Sequence, residues 1–368
     1  MIHHGVLRLI LATGMTGGCA GVGFAQPVIV EDGWVFEREV DFAGAMSALI
    51  NPFDGLLYTG RRSGGVYRID AAGDAELIAS TDEVAGLAID PNTGALFVSE
   101  DFPGRIHRLA IDFSTGATTK ELWVSGFQSG DDDPVGMTYV PDDYSGTLLA
   151  PGSMVSTDRG FNGQDLIWSW SPSTPEGEAL VVDDAAGLVD AADIAVKGDR
   201  LFVADRTAGL RTINEDASVS GLALAGATLG DVQGVVGDSL SDDLLVLDVD
   251  TDAVYRADPD TGEASVVFSG FGLTGTNWGG LNLFDDGTTQ RVVVSSSNAD
   301  RITVFSITPP CSDADVAGPF GVLNFFDVSA FVGLYNAQDN AADLAAPFGV
   351  WNFFDLSAYI ALYNAGCP

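Results

Sequence analysis

The chain has 368 residues, 52 Asp+Glu against 16 Lys+Arg, a formal net charge of −36, and a hydrophobic fraction of 46%. That much apolar residue excludes a disordered acidic tail and supplies a large core. The charge excludes nucleic acid and anionic lipid surfaces as partners, since phosphate is repelled with no basic patch to offset it, and suits cations, a salty medium or a basic partner.

Residues 1–25 read as a signal peptide. Arg8 is followed by a short apolar stretch from Leu9, then by small residues up to Gly23 and Ala25, a cleavage pattern ahead of Gln26. Lipoprotein processing at Cys19 is the rival reading. A secreted, extracellular or cell-surface location follows. No segment reaches the roughly 18 uninterrupted apolar residues of a membrane helix, so no transmembrane segment is expected. Cleavage removes His3, His4 and Cys19, leaving His107, Cys311 and Cys367. Histidine-cluster and four-cysteine zinc sites are thereby excluded within one chain. A Ser-His-Asp mechanism would have to use His107, which reads as an exposed strand histidine between Arg105 and Arg108.

Residues 27–308 repeat one pattern: apolar strand, turn, second apolar strand, polar loop, third strand with Arg or Tyr. The clearest copy runs from Gly86 through Leu96-Phe-Val-Ser-Glu-Asp101 to Gly104-Arg-Ile-His-Arg-Leu109. Relatives begin near Ala48, Gly136, Asp193, Gly234 and Gly280. In the third copy, Thr147-Leu-Leu149 reads as the second strand, which leaves residues 151–164 as a long polar insertion suited to binding. Fourth strands lie between copies, for example Glu121-Leu-Trp-Val124 and Leu222-Ala-Leu224. The sixth copy lacks one, and an unassigned strand, Trp34–Val40, sits at the start; ring closure by this N-terminal strand accounts for both. Four-strand units at such spacing read as a mainly β fold, a β-propeller.

This region resembles the six-bladed propellers of the NHL-repeat and TolB-like kind, carried by Leu-Phe-Val-Ser-Glu-Asp at 96–101 and Leu-Phe-Val-Ala-Asp at 201–205. The resemblance implies architecture; the fold hosts lactonases, other hydrolases, dehydrogenases, receptors and scaffolds. In such propellers the site lies at one mouth of the central channel. The candidates there are Asp82, Glu83, Asp133, Asp190, Asp231 and Asn277, with Asp131-Asp132-Asp133 the densest cluster. A carboxylate ring could hold a divalent cation as a Lewis acid. The Glu-Gly-Pro start motif of the lactonase-like family is missing. Asp205 and Asp248, ending second strands, read as turn caps.

After Pro309-Pro310, within residues 309–368, residues 315–336 recur as 343–364, identical at 15 of 22 positions. Each copy reads as a loop and a helix begun by Asp327 or Asp355, which can cap it. Val328, Phe331, Val332 and Tyr335 fall on one helical face, as do Leu356, Tyr359, Ile360 and Tyr363. The tandem resembles a dockerin module, through Gly321-Val-Leu-Asn324-Phe-Phe-Asp327 and Gly349-Val-Trp-Asn352-Phe-Phe-Asp355, and is similar to the bacterial variant ending Gly-Cys-Pro, here Gly366-Cys367-Pro368. That resemblance implies a small α-helical docking unit, a cohesin-like or cell-surface protein as partner, and calcium on Asp315, Asn324, Asp327, Asp343, Asn352 and Asp355. The loops depart from the pattern: Ala317 and Pro319, or Ala345 and Pro347, replace the usual Asp or Asn, so calcium would be held weakly. The alternative is a loop held by Pro and Phe packing. Cys311 and Cys367 bracket both repeats, which implies a disulfide.

Two readings of function follow. The first is a non-catalytic binding or scaffold propeller, with a glycan, peptide or protein ligand, docked or anchored through its C-terminal module. The alternative is a metal-dependent hydrolase or lactonase on the propeller, tethered by the same module. The single remaining histidine and the missing start motif favour the first.

Overall fold

A computed structural model describes residues 26–101, 103–125, 133–160, 165–175, 179–183, 187–273, 278–318 and 320–367. The expected signal peptide lies outside them. Among the described residues no helix is long and apolar enough to cross a membrane.

Six antiparallel sheets form the blades of a propeller; five have four strands and one has five. The innermost strands are Ala45–Ile50, Val84–Ile89, Pro134–Tyr139, Ala191–Lys197, Val232–Gly237 and Gly279–Asp285. Each touches its counterparts in the two adjacent blades, and together they line one central channel. The second strands, Leu57–Arg61, Leu96–Glu100, Met154–Asp158, Arg200–Asp205, Leu244–Asp248 and Gln290–Ser296, are buried almost throughout. A blade is covered on both faces by its neighbours, so strands such as Arg200–Asp205 and Leu244–Asp248 read as continuous apolar runs instead of alternating ones. The outermost strands, such as Ala75–Ala79 and Thr118–Ser125, are largely exposed.

The ring closes as expected. Val35–Asp41 is the outer strand of the sixth blade, paired antiparallel with Arg301–Ile307 in a register that sets Val40 opposite Ile302. Arg301 bonds Glu39 at 3.0 Å across the closure. Trp34 packs edge-on to Phe268, which stacks on Phe305. A two-residue strand, Val28–Ile29, adds to the fifth blade, a pairing absent from the sequence reading.

Two strand assignments are corrected. In the third blade the second strand is Met154–Asp158, with Met154 opposite Tyr139. Leu148 and Leu149 belong instead to a loop packed on Val140, Tyr144 and Val155, so their apolarity marks a buried loop. The insertion is therefore residues 141–153, at the opposite face from the expected mouth; of 151–164, residues 161–164 lie outside the described set. In the fourth blade the outer strand is Val219–Gly221, while Leu222 and Leu224 pack against the Phe202 cluster.

Beyond Ile307, two helices, Phe325–Ala337 and Phe353–Ala365, pair through Phe331 stacked on Tyr359 at 3.8 Å. Asn324 and Asn352 are the N-caps, not the aspartates. Asp327 and Asp355 sit at the third helical position and accept the N-cap backbone N–H at 2.7 and 2.8 Å, completing capping boxes. Val332 and Ile360, expected on the buried faces, are exposed. Cys311 and Cys367 form the expected disulfide.

Candidate functional site

One backbone hydrogen bond recurs in every blade. The residue after each second strand donates its N–H to the carbonyl beside the start of the innermost strand: Arg62 to Gly44, Asp101 to Glu83, Arg159 to Asp133, Arg206 to Asp190, Val249 to Asp231 and Ser297 to Trp278. This places two concentric rings of side chains around one mouth of the channel. Four predicted residues, Glu83, Asp133, Asp190 and Asp231, are brought together there. Asn277 lies outside the described residues, as do Asp131 and Asp132. Asp82 turns outward to Arg105 at 2.8 Å.

Ion pairs cross three of the blade junctions at the mouth. Arg62 meets Glu83 at 3.0 Å, Arg159 meets Asp190 at 2.8 Å, and Arg206 grips Asp231 through two nitrogens at 2.9 and 3.1 Å. Trp278 lies under two of these arginines, its ring 5.1 Å from the Arg159 guanidinium and 4.9 Å from that of Arg206. At the junction of the second and third blades two acids meet instead. Burial raises the Asp101 carboxyl, the charge of Glu83 adds to this, and Arg159 and a hydrogen bond with Asp133 pull it back. The arginine partners were missed by the sequence reading; the signal was an Arg directly after the second strand, as at Arg62 and Arg206.

Below this ring the channel is nearly solid. Gln233 donates to Asp231 at 2.8 Å and accepts the Gly279 N–H at 2.7 Å, bridging the fifth and sixth blades. Only about 30 Å³ of space remains among the innermost strands. The other end opens into a cavity of about 400 Å³ with an apolar lining that includes Leu49, Ile89, Tyr139, Val236 and Phe284.

Acids that end the second strands are buried and tie loops. Asp205 accepts the N–H groups of Val189, Thr207 and Ala208, and Asp248 those of Gly230 and Thr251, as turn caps do. Glu100 accepts the Asp82 N–H and holds Arg105 at 2.7 Å. His107 is buried, contrary to the sequence reading, with Nε2 3.1 Å from Glu100. Burial alone would raise the Glu100 carboxyl; the Asp82 N–H, Arg105 and His107 outweigh it and hold it below its ordinary value.

In the C-terminal loops most of the expected calcium ligands already accept backbone N–H groups. Asp315 takes those of Cys311 and Gly321; Asp327 takes Ala317 and Asn324; Asp355 takes Ala345 and Asn352; Asp343 takes Gly349. Asn324 and Asn352 spend their side-chain oxygens on the caps. One oxygen, Oδ1, of Asp315 and of Asp343 is buried without a hydrogen-bond partner. The loops are thus held by carboxylate–amide bonds. Phe packing does not support the second loop, since Phe348 is 72% exposed, whereas Phe320 of the first loop is partly buried beside Gly33 and Ile307. The one group of three potential ligands among the described residues is Cys311, Asp315 and Cys367, and its cysteines are in the disulfide.

No family model and no curated protein matches the chain. Solved structures do match. A gluconolactonase from Xanthomonas campestris shares 14% identity over 78% of this chain and 98% of its own, with a TM-score of 0.54. The iodide structure of a Trichoderma reesei protein of Carbohydrate-Active Enzymes family AA12 shares 14% over 78% and 99%, with a TM-score of 0.58; its calcium structure gives 14%, 77%, 98% and 0.56. At such identity the likeness establishes the architecture alone: the chain is a six-bladed β-propeller followed by two short helices.

Proposed function

We propose that the protein is an exported, non-catalytic glycan-binding propeller, docked or anchored through its C-terminal helices. The observation that carries this reading is the mouth itself. Three guanidinium–carboxylate pairs, partly exposed, lie around the Trp278 indole that two of the arginines cover, and such a surface offers donors, acceptors and an apolar edge to a polyhydroxylated ligand. Glu83, Asp190 and Asp231 are already paired with arginines, so they suit hydrogen bonding to hydroxyl groups better than coordination of a cation. The described residues at the mouth provide no convergent trio of free carboxylate oxygens, so they do not fit a divalent metal, and no catalytic step is drawn through one.

The module supports docking. Phe325, Phe326, Phe353 and Phe354 are 62–76% exposed, one pair at each helix start. Its residues include six aspartates and no Lys or Arg. A cohesin-like or cell-surface partner would then present apolar pockets in a basic surface. Calcium enters only as a weak ligand, on the unpartnered Oδ1 atoms of Asp315 and Asp343.

The hydrolase reading keeps one specific support, the facing Asp101 and Asp133, since paired carboxylates can divide acid and base roles. One experiment separates the two. Soluble glycans and simple lactones are offered to the whole chain, with binding measured by calorimetry and turnover by proton release, each with calcium and with EDTA. The proposal expects glycan binding without turnover, weakened at least tenfold by Trp278→Ala. Lactone turnover lost in EDTA would establish the alternative.

A further inference from the structure

The six innermost strands place one residue each at the narrowest layer of the channel. Pairing registers identify the layer: Ser47 opposite Gly60, Gly86 opposite Ser99, Asp193 opposite Ala204, Gly234 opposite Leu247 and Gly280 opposite Ser295. Gly136 completes it, its N–H bonded to Thr157. Five blades thus carry Gly or Ser where the fourth carries an aspartate.

The Asp193 carboxylate reaches the innermost strand of the next blade and accepts the Val235 N–H there at 3.0 Å, together with the N–H of its own neighbour Ile194 at 2.9 Å. These bonds occupy two of the roughly four lone-pair sites of a carboxylate. No Lys, Arg or His lies within ion-pair distance of it among the described residues. It borders the remaining cavity of about 30 Å³, with Ser47, Gln233 and Asn282 as the other polar side chains. A space of that size holds one ion or a water. The free edges of six innermost strands add backbone carbonyls. A carboxylate enclosed without a counter-charge is costly, and such groups in proteins are paired or bind cations. Burial pushes Asp193 up to about 7, the Val235 and Ile194 N–H groups offsetting it only in part.

We propose that the channel holds one monovalent cation of sodium or potassium size on the Asp193 carboxylate. Charge selects the valence. A single carboxylate neutralises a monovalent ion, whereas a divalent ion would leave a net positive charge enclosed by neutral groups. Calcium sites gain affinity from several carboxylates and six to eight oxygens, which this layer does not supply. The ion would cross-link the fourth blade to its neighbours at the axis.

The test is the melting midpoint of the whole chain in sodium, potassium or calcium chloride against choline chloride at matched ionic strength. Choline screens the −36 net charge equally well and is too large for the channel. Sodium or potassium should raise the midpoint above choline, with a rise per decade of concentration as for any ligand of the native state. Asp193→Asn should bring the curves together. Wild-type crystals soaked in a rubidium or thallium salt give a second readout independent of variant folding: an anomalous peak beside Asp193 supports the site. Coincident wild-type curves, a peak-free channel holding water only, or a larger response to calcium than to sodium would each overturn the proposal.

Discussion

At the scale of residues, the narrow layer of the channel explains why four of the six repeats begin on glycine. A Cβ at Gly86 would stand 1.8 Å from the Val135 carbonyl oxygen, and one at Gly136 would stand 2.3 Å from the Asp193 Cα. Backbone cannot rotate aside as a flexible side chain would. Gly86→Ala should therefore cost at least the upper end of the usual about 1–3 kcal/mol for overpacking, seen as a fall in the denaturation midpoint at constant slope. A change under 1 kcal/mol would mean that adjacent blades separate more easily than this packing implies. Asp165 sets a second test. Its carboxyl is fully buried, with Oδ2 accepting the Ala191 N–H at 2.5 Å and Oδ1 unpartnered. Burial, then the charges of Asp205 and Asp190, raise it from 3.8 to about 6 against the pull of the Ala191 N–H and Arg159. The native state thus holds a proton that the unfolded chain releases earlier. The Asp165 contribution to stability should be greatest below pH 4, fall between about 4 and 6, and level off above. The melting midpoint of the wild type relative to Asp165→Asn should fall across that range; a difference that stays constant through the window would refute the assignment.

At the scale of elements, strands were legible where burial is two-sided and turns are tight. Leu96–Glu100 and Leu244–Asp248 are apolar runs, broken only by Ser99, each closed by an acid that ties the next loop. The misreading at Thr147-Leu-Leu149 has a physical reason: a long loop folded back on the blade buries leucines as a strand does, and sequence carries no mark of register. The mouth was half legible. Positions before the innermost strands can be counted from the repeat, but ion pairs such as Arg159–Asp190 join residues of different blades and exist only once the ring is closed. In the C-terminal unit the repeat itself supplies a prediction. Gly333 of the first helix corresponds to Ala361 of the second. Gly333 is exposed, and a Cβ there would meet nothing within 4 Å. Gly333→Ala should stabilise that helix by about 1 kcal/mol, the cost of glycine in a helix interior. Amide exchange of residues 325–337 in the whole chain would report it as slower opening; unchanged exchange would mean that the helix opens only together with the disulfide-bonded unit.

At the scale of the whole molecule, closure is the feature on which the rest depends. Each blade has its faces covered by two others, so no sheet is stable alone, and the sixth is completed by residues from the other end of the chain. The closing strand contributes a ladder along Arg301–Ile307, the Glu39–Arg301 pair, and Val40 within the core shared with the first blade. Trp34 and Glu31 extend the clasp to the fifth blade, where Glu31 holds Arg256 at 2.8 Å. Removing residues 26–41 would leave the Arg301–Ile307 edge unpaired, a template for another chain. The high negative charge opposes such association in dilute buffer and loses its reach as salt shortens the Debye length. The truncated chain should therefore melt well below the intact one at any salt, and should remain monomeric near 10 mM salt but form oligomers near 0.5 M. Light scattering across that range distinguishes the outcomes. A truncated chain that stays monomeric throughout with an unchanged melt would mean that the sixth blade is complete on three strands and that the N-terminal clasp is dispensable.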